Sequence, residues 1–333
     1  MVELYVSWCK GLANSKEALN ILSNSPLVTG VEGYNFYDEM ELFRQAGLKM
    51  SVHNPIKPLG LNLFDKDLVR KLKRKENQKM IQAIAHSDAE VTAFHIHYTS
   101  WRLELFALQG IAFDEASLED LPEKKIKERV IKNLVKLEKE INHGLPDSEK
   151  KKILFETYPY TNFNLVNDRK NNVSDKQLAF LRKAGLMNRP EFLKDIFNDK
   201  RVASNPNLGF LFDVAHVFIS IHNLANESLL KESGDECIKS IIDATRGKVY
   251  RLHITGVHEI ENELYWDKQA EIKAGDKISM ALLGIAKEVL NNNPHLNTIT
   301  LEVETGLAPV KHAKKLVQQA EMVAKVLKLK VEK

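Results

Sequence analysis

Cysteine is scarce in this chain. Cys9 and Cys237 are the only two in 333 residues, too few for a disulfide framework or a cysteine-rich zinc module, and their scarcity fits a reducing compartment. Any metal must then be held by imidazole and carboxylate groups. Long apolar runs are missing too. None approaches the roughly 18 to 20 residues of a spanning helix, and the opening MVELYVSWCK has no charged start leading into a secretory apolar stretch. A soluble, cytoplasmic protein without a membrane partner is expected. Charge of one sign is also lacking, with 48 Lys and Arg against 45 Asp and Glu and a net of +3. That balance is far from a dedicated nucleic-acid wrapper. At 44% hydrophobic and 28% charged residues, the chain is neither disordered nor fibrous.

What is present is an alternation. Eight short apolar or β-branched runs recur, at 3–7, 30–34, 49–54, 91–98, 153–157, 209–215, 249–255 and 298–304, each followed by a stretch with helical periodicity. The helical signal is clearest at Ile126, Val130, Leu134, Leu137 and Ile141, and again at Ala313, Leu316, Ala320, Val323 and Leu327. Strands alternating with one-sided helices imply parallel pairing through right-handed crossovers. Eight such units predict an α/β fold, the (β/α)8 TIM barrel, spanning 1–333 as one domain; a doubly wound open sheet is the structural alternative. Such barrels take typically about 250 residues, so about 80 are surplus here. They fall in the connections around 100–121, 158–207 and 256–276, which would form extended loops at the C-terminal face.

In this barrel functional groups converge where the strands end. Strand three ends in His53, strand four carries His95 and His97, strand five ends in Glu156, and strand six ends in Asp213 with His216 on the loop beyond. Strand seven carries His253, and strand eight carries Glu302 and Glu304. Six consecutive strands thus each deliver a His or a carboxylate. Burying so many ionisable groups is costly unless they pair or bind a cation. Neutral His with anionic carboxylate is the ligand set of zinc, manganese or iron. Residues two apart on a strand point the same way, which leaves the choices of His95 or His97 and of Glu302 or Glu304 open. Glu32, at the end of strand two, fits either the same cavity or a surface salt bridge. Tyr158, Tyr160 and Trp266 are read as loop aromatics above the cavity, fit either for stacking on a ligand or for packing in the wall. The basic run Arg70–Lys75 reads as the solvated face of a helix that buries Leu68, Leu72 and Met80.

Taken in order, His53-Asn54-Pro55, Phe94-His95, Glu156-Thr157, Asp213-Val214-Ala215-His216, His253-Ile254-Thr255-Gly256 and Leu301-Glu302 resemble the motifs of the xylose isomerase-like TIM-barrel superfamily. It includes sugar isomerases and epimerases, endonuclease IV, and multinuclear iron oxidases that modify peptides. The resemblance implies one to three divalent ions. One would be held by His53, His95 or His97, and Glu156; a second by Glu156, Asp213, His253 and Glu302. The third, formed by His216, Asp267 and Gln269, has Gln where endonuclease IV carries His, and neutral Gln is a poor zinc ligand.

The set needed by an epimerase is complete. The leading expectation is a metal-dependent isomerase or epimerase acting on a sugar-like small molecule, with Glu156 and Glu302 as acid and base and His216 orienting substrate. The surplus histidines His53, His95 and His97 support an alternative: metal-assisted hydrolysis of a phosphodiester in damaged DNA, or oxidation of a peptide. A barrel that only binds a ligand or partner protein is the non-enzymatic alternative.

Overall fold

The computed structural model describes residues 1–7, 15–33, 40–53, 63, 66–85, 91–96, 121–157, 159–160, 186–259 and 265–331. Eight parallel strands close into a barrel: β1 (Glu3–Ser7), β2 (Gly30–Gly33), β3 (Lys49–His53), β4 (Val91–Ile96), β5 (Lys152–Thr157), β6 (Leu208–Asp213), β7 (Val249–Ile254) and β10 (Thr298–Leu301). Their order around the cylinder is β1-β10-β7-β6-β5-β4-β3-β2. Two further strands, β8 (Gly256–Glu259) and β9 (Tyr265–Ala270), form an antiparallel hairpin beyond β7. The chain has the TIM-barrel fold that the eightfold alternation predicts.

Alternation along each strand separates two environments. Leu4, Val6, Val31, Val52, Phe94, Phe155, Phe212, Leu252, Ile299 and Leu301 face outward into one apolar layer shared with the helices. The helix Glu123–Ile141 contributes Ile126, Val130, Leu134, Leu137 and Ile141 to that layer, and the helix Pro309–Leu327 contributes Ala313, Leu316, Ala320, Val323 and Leu327. Each large aliphatic side chain so buried stabilises the fold by about 1.5–3 kcal/mol. Side chains of the other parity meet inside the cylinder. Val91, Ala93, Leu154 and Leu211 pack there as a separate small cluster, and ionisable residues lie beyond them toward the strand ends.

Several boundaries differ from the sequence reading. β6 ends at Asp213 as read, but the apolar run 209–215 continues past it into the helix Val214–Asn226, which begins at once where a loop was expected. The segment 158–207, read as a connection, contains the helices Pro190–Asn198 and Lys200–Ala203. The segment 256–276 carries the β8–β9 hairpin. The basic run 70–75 spans two helices, Leu68–Leu72 and Lys75–Ala85, which bury Leu68, Leu72 and Met80 as expected. Among the described residues no helix is long and apolar enough to cross a membrane.

Candidate metal centre

The parity that sends Val6, Val52, Phe155 and Phe212 outward sends their neighbours Ser7, His53, Glu156 and Asp213 inward. Register then sets who meets whom. Asp213 lies beside His253 across the β6–β7 pair, and His95 lies beside Glu156 across β4–β5. Glu32, His53, Glu156, Asp213, His216, His253 and Glu302 are all buried, none more than 5% exposed.

Among the described residues two groups of potential ligand atoms form in this mouth, Glu32 with His53, His253 and Glu302, and Glu156 with Asp213 and His216. Within each group the ligand atoms lie within 4.8 Å of one another. The imidazoles of His53 and His253 are stacked, with centroids 5.0 Å apart and planes 27° from parallel. His53 links the groups, since its Nε2 is 3.4 Å from Glu156 Oε2 while its Nδ1 is 3.6 Å from Glu32 Oε1. His253 links them too, its Nδ1 being 3.3 Å from Glu302 Oε1 and 3.7 Å from Asp213 Oδ2.

Asp213 serves as both strand end and helix cap. Its Oδ1 accepts the backbone N–H of His216 at 2.8 Å, satisfying one of the donors a helix start leaves open. His216 therefore sits in the first helical turn rather than on a loop. Its Nδ1 is 2.9 Å from the Thr157 carbonyl oxygen and 2.9 Å from Glu156 Oε1.

Beneath the mouth lies a residue not singled out in the sequence. Arg251 is buried inside the barrel, two positions before His253 on β7 and so on the same face. Its Nη1 donates to Glu32 Oε2 and to Ser51 Oγ. Ser51 Oγ in turn donates to Glu32 Oε2 at 2.8 Å, and the guanidinium lies 5.1 Å from the centre of the Tyr5 ring. Glu32 is thus an interior residue paired with a buried cation, not a partner in a surface salt bridge. The one trace of Arg251 in the sequence is its two-residue offset from His253, which puts both on one strand face without naming a partner for the charge.

Burial raises the Asp213 carboxyl above its ordinary value, against the opposing pull of His216 and His253. Burial also disfavours charge on Glu302, yet His253 and His53 outweigh it and hold that carboxyl below the usual range. For His253, burial opposes protonation, but Glu302, Asp213 and Glu156 push the imidazole up to about 10. Burial pushes Arg251 down to about 10, which leaves it cationic at neutral pH.

The donor set fits a divalent cation. Asp213 Oδ2 and His253 Nδ1 are buried and make no aligned hydrogen bond among the described residues, an arrangement that is costly without a cation to satisfy it. Imidazole and carboxylate together suit zinc, manganese or iron.

The remaining sequence candidates fall differently. Glu304 is exposed and lies in neither group; its backbone N–H instead donates to the Gln269 carbonyl at 2.8 Å. Glu302 keeps the alternation of β10, its backbone N–H donating to the Ile254 carbonyl at 3.1 Å, and faces the mouth, whereas Glu304, beyond the strand, is exposed. Gln269, on β9 with φ +47°, directs its side-chain amide to Glu302 Oε2 at 3.4 Å. It stands as a donor to a carboxylate there. Asp267 belongs to β9 and His95 to β4, with their side chains outside the described part, and His97 lies outside the described residues. Of the loop aromatics, Tyr160 is wall: it is buried, its backbone N–H donates to Ser220 Oγ at 2.8 Å and its hydroxyl to Glu227 at 2.9 Å.

No protein-family model and no curated relative matches the sequence. Comparison of folds does find neighbours. The D-psicose 3-epimerase of Clostridium cellulolyticum H10, solved with D-tagatose, aligns at a TM-score of 0.53 and 11% identity, covering 98% of each chain. The IolI protein with a bound zinc atom aligns at 0.54 and 12%, covering 98% of this chain and 97% of its own. A xylose isomerase-like TIM-barrel protein of Mycobacterium smegmatis in complex with magnesium aligns at 0.50 and 10%, covering 98% and 96%. What this chain shares with them is the xylose isomerase-like TIM-barrel fold.

Proposed function

We propose that this barrel of xylose isomerase-like fold is a divalent-metal-dependent enzyme of the sugar isomerase and epimerase kind. One observation carries the reading. Two buried carboxylates, Glu156 on β5 and Glu302 after β10, stand three places apart in the barrel order, flanking the adjacent pair Asp213 and His253. Glu156, Asp213, His253 and Glu302 would hold the ion. When bound, a divalent cation supplies Lewis acidity, which makes a proton on the carbon beside a carbonyl acidic enough to move.

The chain's own groups do the rest. Glu302 takes the carbon-bound proton, and Glu156 returns one from the other side of the mouth. His216, fixed at Nδ1 by Thr157 and Glu156, orients substrate oxygens. The barrel wall excludes bulk water and keeps these charges effective. That one fold neighbour was solved with D-tagatose supports a sugar-like substrate.

The test has two arms. Metal analysis of protein purified without added metal should find stoichiometric zinc, manganese or iron. A panel of ketoses in deuterated water should then show deuterium entering beside the carbonyl, and Glu156→Gln and Glu302→Gln should abolish it. Absence of exchange together with metal-dependent incision of abasic-site duplex DNA would overturn the reading. A second reading, hydrolysis or oxidation on two or three ions, is favoured by His53, an imidazole 3.4 Å from Glu156 and surplus to a one-ion set.

A further inference from the structure

Glu32 is the one carboxylate of the mouth contributed by β2, and it faces both stacked imidazoles at once. Its Oε1 is 3.6 Å from His53 Nδ1 and 2.5 Å from His253 Nε2. The opposite nitrogen of each ring faces the other acids: His53 Nε2 toward Glu156, and His253 Nδ1 toward Glu302 and Asp213. The second oxygen of Glu32 is fully engaged from below by Arg251 and Ser51. One carboxylate is therefore clamped on one oxygen and turned toward two rings with the other.

We infer that Glu32 is a shared outer-sphere acceptor that orients His53 and His253 together, while Arg251 and Ser51 fix Glu32 in place. The inference rests on the metal reading above. A ligating imidazole commonly donates its remote N–H to a carboxylate, which fixes the tautomer and turns the other nitrogen's lone pair to the metal. Here a single oxygen with two lone pairs serves both rings. The N–H protons belong on His53 Nδ1 and His253 Nε2, leaving His53 Nε2 and His253 Nδ1 for cations. Glu32 Oε1 makes no aligned hydrogen bond among the described residues, so both its lone pairs are available to the two rings. Arg251 gives this acceptor a counter-charge in the interior, so Glu32 is paired without needing a metal ion of its own. Glu32 and Arg251 are positioning residues, acting through the imidazoles.

Nitrogen-15 NMR of the zinc-loaded wild-type protein, read through long-range couplings to the imidazole carbon-bound protons, tests the assignment directly. The expected spectrum places hydrogen on His53 Nδ1 and His253 Nε2. The reverse tautomer at either ring overturns the inference. Titration of Zn2+ into wild type and Glu32→Gln supplies the second measurement. The variant should lose about 10- to 100-fold in affinity at an unchanged number of ions per chain. Loss of one whole ion would make Glu32 a direct ligand and overturn the inference, as would unchanged affinity. Should Glu32→Gln fail to fold, Arg251→Lys, which keeps the charge, carries the same expectation in weaker form. A wild-type chain that takes up no divalent ion overturns the metal reading and this inference together; metal uptake with the wrong tautomers overturns this inference alone.

Discussion

Asp213 and His216 are joined twice: Asp213 Oδ1 accepts the backbone N–H of His216 at 2.8 Å, and Asp213 Oδ2 lies 3.7 Å from the Nε2 of the same residue. One oxygen starts a helix while the other faces the mouth, so the two roles can be separated by substitution. Asp213→Asn keeps a capping oxygen and loses the anionic ligand. Asp213→Ala loses both. Metal content should fall in each, and Asp213→Ala should be less stable than Asp213→Asn by about 1 kcal/mol in denaturant melts. Equal stabilities would contradict the capping role, and undiminished metal would contradict the ligand role.

Metal uptake should release protons. With its value pushed up to about 10, His253 is protonated at neutral pH when no cation is present, and it must be neutral to ligate. Affinity should therefore rise with pH toward 10, about tenfold per pH unit for each proton displaced. Calorimetry in buffers of different ionisation enthalpy measures that number directly. Heats independent of buffer would contradict the expectation.

The same shift sets the stability of the metal-free protein. A raised imidazole stabilises the fold fully below the unfolded value of 6.5, and the contribution is lost as pH rises through about 10. Asp213, also raised, acts in the same sense. Glu302, lowered, contributes above its unfolded value of 4.5 and loses that as pH falls. Metal-free protein should melt at progressively lower temperature from near neutral to pH 10, and His253→Gln should flatten that decline.

Removing only the cation of the interior pair should be severe. Arg251→Met leaves Glu32 charged and buried, a change that typically costs about 3–5 kcal/mol. The double change Glu32→Gln with Arg251→Met should recover much of that loss. Urea melts of the single and double variants give the comparison, and no recovery in the double variant would contradict the pairing.

Gly256 offers a test of the hairpin. A Cβ there would stand 2.6 Å from the Glu271 carbonyl oxygen and 2.9 Å from that of Ala270. Both obstacles are backbone and cannot rotate aside. Gly256→Ala should cost about 1–3 kcal/mol and displace β9, which carries Gln269. Proteolysis between 256 and 276 should quicken relative to wild type; an unchanged digest would contradict the packing.

The barrel was legible because its strands are short apolar runs, and β1 over Glu3–Ser7 was bounded correctly from sequence alone. The end of strand six at Asp213 was legible too, but the helix that starts at once was not, since Phe212, Val214, Ala215, Val217 and Phe218 are all buried and the apolar run gives no sign of the change. Only the capping chemistry of Asp213 marks it. The imidazoles and carboxylates stood out because ionisable groups are rare in buried strands. Arg251 escaped for the opposite reason: a lone Arg in a strand reads as surface until a partner such as Glu32, 219 residues away, is placed beside it.

The opposite facing of successive strand residues has a consequence for how this molecule can be altered. Positions such as Val6, Val52, Phe155 and Phe212 govern whether the cylinder assembles, whereas Ser7, His53, Glu156 and Asp213 govern what its lumen can coordinate. A library confined to the inward positions at the strand ends, with Glu32, Arg251 and the Val91, Ala93, Leu154 and Leu211 layer left in place, would explore new reactivity on an unchanged scaffold.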